Sequence, residues 1–196
     1  MKLAVVTAGL SQPSSSRLLA DRLASATASA LGPTSVSVLE LRDIALDVTK
    51  NLLTGFPSPA LRSAIETVTG ADGLIAVTPV FAAGYSGLFK SFFDVLDVDA
   101  LEGKPVLLGA TGGTERHSLV LDYQLRPLFG YLRAVPVATG VYAASSDWGS
   151  GEASGALQRR IERAARELAG AMAGQTASPS AGGFVPFEQL LAGAGD

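Results

Sequence analysis

Five apolar runs, each followed by a stretch with helical spacing, constrain this chain more than any other feature. The runs are KLAVVT (2–7), VSVLEL (36–41), GLIAVT (73–78), PVLLGA (105–110) and VPVATGVYA (135–143), the last divisible around Gly140. A strand with one wet face alternates apolar and polar residues, whereas a continuous apolar run is buried on both faces. Between the runs, Leu19, Leu23, Ala26 and Ala30 recur at helical spacing within 15–31, and Gly32-Pro33 stops that helix. Leu61, Ala64, Ile65 and Val68 mark a second helix ending at Gly70. Residues 86–96 form a third, starting at Ser86. Leu121, Leu125, Leu128 and Phe129 mark a fourth within 119–132, and Leu157, Ile161, Ala164, Leu168 and Met172 mark the last. The stretch after the second run, with Pro57 and Pro59, reads as a loop.

Strand and helix therefore alternate along the chain, which implies a parallel sheet with helices on both faces. Its 196 residues suffice for one sizeable core and not for two. The expectation is a flavodoxin-like three-layer αβα sandwich with a five-stranded parallel sheet of order 2-1-3-4-5. The domain is expected to span 1–173, followed by a Gly/Ser/Ala-rich tail at 174–196 with one apolar island, FVPFEQLL. The formal charge of −3 and the lack of a basic patch argue against nucleic acid as a partner. No run approaches the roughly 20 apolar residues that cross a bilayer. Cysteine is absent, which removes thiolate chemistry and disulfides. A cytoplasmic protein is the default.

An open parallel sheet binds ligands beyond the carboxyl ends of its strands, where the strand order reverses. The loop after the first strand reads AGLSQPSSSR. Ser11, Ser14, Ser15 and Ser16 crowd the start of the first helix, with Arg17 beside them. Helix N-termini present unpaired amides and a positive dipole end, so this loop reads as a phosphate site rather than a plain cap. It matches neither G-x-x-x-x-G-K-[ST] nor G-x-G-x-x-G, which favours a mononucleotide. After the third strand, Pro79 is expected to end the strand. Val80 and Phe81 then lie in an exposed turn, and Gly84 and Gly87 let the backbone approach a flat ligand. After the fourth strand, Gly112-Gly113 of ATGGTERH supplies backbone amides for the far side of a ring. His117 reads as a solvent-facing histidine at the start of a helix. Lys90 and Asp94 read as a surface pair. Ser86 in GYSG reads as a helix cap, one residue short of a nucleophile elbow.

The stretches AGLSQPSSSRLLA, TPVFAAGYSGLFKSFFD and ATGGTERHSLVLDYQLRPL together resemble the NAD(P)H-dependent FMN reductases of the flavodoxin-like class. That resemblance implies FMN as ligand and NADPH or NADH as reductant. It carries the family's phosphate loop onto Ser11, Ser14 and Ser16, with Ser15 and Arg17. It carries the ring-contacting loop onto Pro79, Val80 and Phe81, and the third loop onto Thr111, Gly112 and Gly113. The chain is most similar to the branch that supplies reduced flavin to partner monooxygenases. Members of that branch can carry a tyrosine near the flavin or a subunit interface, and Tyr123 stands at that position. The family's phosphate loop more often reads G-S-x-R, against G-L-S-Q here. The resemblance also implies a homodimer or homotetramer. Hydride transfer belongs to the cofactors, so no catalytic side chain is expected. Two other readings stay open: an FMN-bound quinone or azo reductase, and a flavodoxin-type electron carrier.

Overall fold

In the computed structural model, residues 1–149 and 152–174 are described. The expected tail lies outside the described residues, except for Gly174. The parallel sheet runs in the order β2 (Ser35–Glu40), β1 (Lys2–Thr7), β3 (Gly73–Phe81), β5 (Pro105–Gly112), β6 (Val135–Pro136). Along β1 and β3 the residues alternate between two buried layers. Leu3, Val5, Ile75 and Val77 pack under α1 (Ser15–Leu31) and α6 (Glu152–Met172). Ala4, Val6, Leu74 and Ala76 pack under α2 (Ala45–Thr54), α3 (Pro59–Thr69), α4 (Gly87–Asp94) and α5 (Arg126–Tyr131). Burial on both faces is why these strands are apolar throughout.

The sheet is flavodoxin-like, but the expectation of five strands is corrected to seven. β4 (Gly84–Tyr85) pairs antiparallel with the end of β3, and β7 (Val141–Ala144) pairs with β5 below β6. Two causes account for the difference. First, β3 does not stop at Pro79. Pro79 lies opposite Thr111 of β5, while on the other side β1 has already left the sheet. Its last bond to β3 runs from the Ala8 amide to the Val77 carbonyl, 3.0 Å. A proline is tolerated where no neighbour asks for its missing N–H. Val80 and Phe81 are therefore strand residues, paired with Tyr85 and Gly84. Second, the fifth run is split because its middle is claimed by side chains. Arg126 donates to the Val137 carbonyl at 3.0 Å and to that of Ala138. The Glu167 carboxylate accepts from the Thr139 amide and hydroxyl, each at 2.6 Å.

The stretch expected as a loop after β2 instead holds a short 3-10 turn (Leu41–Ile44) and α2. α2 buries one side chain, Val48, and leaves Leu46 and Leu53 exposed, so it carries no helical apolar stripe to read. The helix expected at 119–132 begins as a π-helical turn, Leu121–Leu125, and continues as α5.

The β3–β4 hairpin turns on Ala82 and Ala83, both left-handed, with φ of +47° and +65°. That conformation disfavours any residue with a Cβ by roughly 1–2 kcal/mol. Asn-Gly is the preferred pair at such a turn. Ala82→Asn with Ala83→Gly is expected to stabilise the fold by about 1 kcal/mol, after part of the gain is offset by the freer unfolded chain. In a thermal melt this is a rise of about 2–4 °C; an unchanged or lower midpoint contradicts the strain.

Candidate functional site

The carboxyl ends of β1, β3 and β5 open together on one edge of the sheet. β1 ends at Thr7, a buried residue whose hydroxyl has no hydrogen-bond partner among the described residues. The chain then turns through Gly9, also buried, and reaches Ser14 across a cis Gln12–Pro13 peptide. Ser14 caps α1, its hydroxyl accepting from the Arg17 amide at 3.2 Å. Gly9 is what lets the loop close this tightly: a Cβ there would fall 2.0 Å from Ser14 Oγ. The Ser15 and Ser16 amides open α1 and have no intrahelical acceptor.

The four serines have four different fates. Ser16 is buried, with Oγ 2.7 Å from Thr111 Oγ1 at the end of β5. The first and third loops are thus joined by a direct hydroxyl bond. Ser14 is half-buried at the cap, and Ser15 is exposed on the first turn. Ser11 is exposed and turns back on its own loop, donating to the Pro13 carbonyl at 3.0 Å. Arg17 donates from Nε to Asp21 at 2.8 Å and pairs with Glu40 of β2 at 2.5 Å. Its pKa is raised, chiefly by the hydrogen bond to Asp21, so its charge is permanent but already answered by carboxylates. Glu40 also holds Arg42, which donates to the Ser11 carbonyl at 3.0 Å and braces the loop from β2.

The second loop is the hairpin. Pro79 and Val80 are half-buried, and Phe81 is 47% exposed at its tip. Gln124, in the π-helical turn, donates to the Ala83 carbonyl at 3.1 Å and steadies that tip. Ser86 is buried, caps α4 by accepting from the Phe89 amide at 3.1 Å, and donates its own amide to Thr78 Oγ1 at 3.0 Å. Both of its roles are structural, as a capping serine requires. Lys90 pairs with Asp94 on the surface.

The third loop is pinned by Tyr142 of β7, whose hydroxyl donates to the Thr114 carbonyl at 2.7 Å. Burial pushes the Tyr142 pKa up, and the charges of Asp147 and Glu115 add to this, so the hydroxyl keeps its proton and remains a donor. Gly112 makes room for it, since a Cβ there would lie 2.2 Å from Tyr142 Oη. Gly113 is exposed and open, with nothing within 4 Å of its Cβ position. His117 is exposed in a short 3-10 turn, Glu115–His117. Tyr123 sits in the π-helical turn, 76% exposed.

Ser14, Ser16 and Thr111 are therefore brought together, while the Ser11 hydroxyl and the Arg17 guanidinium are engaged elsewhere. Thr7, Gly9, Gln124 and Tyr142 complete the edge and were not singled out in the sequence. Gly9 had a readable signal, a glycine directly after a buried strand. Tyr142 had none, because nothing local says that its hydroxyl reaches Thr114. The tight turn allowed by Gly9, the orphaned Thr7 hydroxyl and the free helix-start amides fit a phosphate group. The hairpin and the glycine turn fit the flat body attached to it.

A reversing parallel sheet with such a loop after its first strand defines the flavodoxin-like mononucleotide-binding proteins. Comparison with known proteins narrows the class. The family described as NADPH-dependent FMN reductase matches residues 1–149. An FMN reductase (NADPH) of Pseudomonas aeruginosa is 38% identical over 89% of this chain and 94% of its own length. The NADH-dependent FMN reductase SfnF of Pseudomonas fluorescens is 38% identical over 86% of this chain and 90% of its own. The crystal structure of an oxidoreductase from Corynebacterium diphtheriae superposes with a TM-score of 0.85 at 46% identity, covering 89% of this chain and 98% of that one. The chain belongs to the NADPH-dependent FMN reductase family. It is an oxidoreductase that works with FMN and with NADPH or NADH.

Proposed function

We propose that this protein reduces FMN at the carboxyl edge of its sheet and releases the reduced flavin to a partner monooxygenase. In the balanced reaction NAD(P)H gives a hydride, solvent gives a proton, and FMN becomes its two-electron reduced form. The chemistry is the cofactors', and the protein binds, orients and excludes water. The FMN phosphate is held by the α1 amides with Ser14 and Ser16, and the flanking Ser11, Ser15 and Arg17 shape the loop. The ring lies between Pro79, Val80 and Phe81 on one side and Thr111, Gly112 and Gly113 on the other. The single observation that carries this reading is the anion-ready start of α1, brought close to the end of β1 by the tight turn that Gly9 allows.

Further parts of the reading are a single domain at 1–173, a cytoplasmic setting and a homodimer or homotetramer. No described helix is long and apolar enough to cross a membrane. A second copy packs on the surface of α5 bearing Tyr131, 72% exposed, beside a cavity of about 580 Å³ between α4 and α5.

The deciding experiment follows NADPH oxidation by the purified protein with and without added FMN, and records whether flavin co-purifies. Turnover that saturates with added FMN is expected. Retained FMN with turnover only on a quinone or dye makes the protein an FMN-bound quinone or azo reductase. Bound FMN with no nucleotide oxidation makes it an electron carrier. The phosphate assignment has its own test. Ser14→Ala with Ser16→Ala is expected to weaken FMN binding by about 1–3 kcal/mol through lost bonds to a charged group. An FMN dissociation constant that stays put removes these serines from the phosphate site.

A further inference from the structure

Relatives of equal similarity are named for NADPH and for NADH, so kinship does not tell which nucleotide this chain uses. The two differ only by a 2′-phosphate, which is nearly dianionic at neutral pH. Selecting it takes a cation that no carboxylate has already answered. Of the arginines around the carboxyl edge, Arg17 and Arg42 are held by Asp21 and Glu40. Arg126 is held by Asp122 and the Val137 carbonyl. Arg116 is different: it is exposed, and among the described residues no carboxylate pairs with it. Glu115, its neighbour in the same turn, forms no ion pair with it among the described residues.

Arg116 and His117 line a cleft of about 260 Å³ with Ala83, Leu119, Tyr123 and Gln124. Ala83 is the tip of the ring hairpin, so the cleft begins where the ring site ends. It lies on the side of the third loop, away from the phosphate-binding start of α1. A nicotinamide stacked over the flavin leaves its adenosine end outside the ring site, and this cleft is beside it. The volume suits one end of a dinucleotide rather than the whole. Leu119, 60% exposed, and Tyr123 offer the apolar and aromatic surface that an adenine covers. Arg116 offers the planar fork that grips a phosphate bidentately.

We infer that the cleft between the hairpin tip and the Glu115–His117 turn seats the 2′-phosphoadenosine end of NADPH, with Arg116 as the residue that selects NADPH over NADH. The inference rests on the reductase reading above, and its test separates the two. The probe is 2′,5′-ADP, titrated calorimetrically against the wild-type protein and Arg116→Ala, with 5′-AMP as the comparison. Tighter binding of 2′,5′-ADP than of 5′-AMP is expected in the wild type, and Arg116→Ala is expected to erase about tenfold of that advantage, the loss of one charge-assisted contact. In FMN-dependent turnover, the ratio of kcat/KM for NADPH to that for NADH is expected to fall by the same factor, through KM. Arg116→Lys keeps the charge without the fork and is expected to fall between the two. Equal binding of the two mononucleotides by the wild type, or an equal loss of both in Arg116→Ala, overturns the assignment. If FMN-dependent turnover is absent while the 2′,5′-ADP preference persists and depends on Arg116, the reductase reading fails and the phosphate cleft stands.

Discussion

Phe93→Ala is expected to destabilise the protein by about 3–5 kcal/mol, the usual loss for emptying a buried aromatic site. Phe93 is 1% exposed and is the hub of an aromatic cluster. Its ring lies 4.7 Å from that of Phe89, 5.3 Å from Phe92 and 4.9 Å from Phe129. α4 has only eight residues and α5 only six, too few to persist by themselves. These rings are what fasten the two short helices to each other and to the sheet. Edge-on and tilted ring pairs add about 0.5–1.5 kcal/mol each beyond the area they bury, so the loss is set toward the upper end of the range. For a chain of this size the melting midpoint falls by roughly 10 °C or more. Phe89 of the same cluster packs against Tyr85 of the hairpin, with ring centroids 6.1 Å apart, so the damage reaches the hairpin before the start of α1. Saturating FMN is expected to recover part of the midpoint by mass action. A cost below about 1 kcal/mol means that α4 is anchored by something other than these rings.

The sheet was legible because burial on both faces leaves an unmistakable mark. β1, β3 and β5, covered on both sides, are apolar over their buried length, whereas β2, expected as another buried run, is an edge strand with no buried residue and carries Ser35, Ser37 and Glu40. What was not legible is what depends on one residue reaching another far along the chain. The β3–β4 hairpin escapes because its turn is Ala82-Ala83, a pair that carries no turn signal and is held in place by Gln124. The fifth strand breaks because Arg126 and Glu167 take its polar groups, and neither advertises this locally. α2 escapes because it buries almost nothing. In the site, the serine cluster marks a loop at the carboxyl edge but does not rank its members. Ser16 is distinguished from Ser11 by Thr111, 95 residues away, and Arg17 is neutralised by Glu40 on the neighbouring strand. Residue type names the chemistry of a loop, and tertiary contacts decide which of its side chains is free to perform it.

Gly9→Ala is expected to damage FMN binding more than removing any single serine. The added Cβ would lie 2.0 Å from Ser14 Oγ, 3.1 Å from Ser14 Cβ and 3.3 Å from Ser16 Cβ. The first contact has an escape, since the Ser14 hydroxyl can rotate away. That rotation gives up the cap on the Arg17 amide, at about 1 kcal/mol. The second contact has no such escape, because Ser14 Cβ moves only with the backbone. The loop must then lift off the start of α1, and Ser16 is drawn away from Thr111 as it does. A buried threonine hydroxyl left without its partner costs a further 1–3 kcal/mol or so. The fold is therefore expected to lose about 2–3 kcal/mol, measured by urea unfolding. The FMN dissociation constant is expected to rise roughly thirtyfold, equivalent to about 2 kcal/mol, in a fluorescence titration. Gly130→Ala makes the matched control. Its Cβ position is open, it lies inside α5, and the same added methyl is expected there to stabilise by about 0.5–1 kcal/mol. If Gly9→Ala unfolds like the wild type and binds FMN as tightly, the loop after β1 is not the closed cradle described here, and the phosphate must be held elsewhere on the edge.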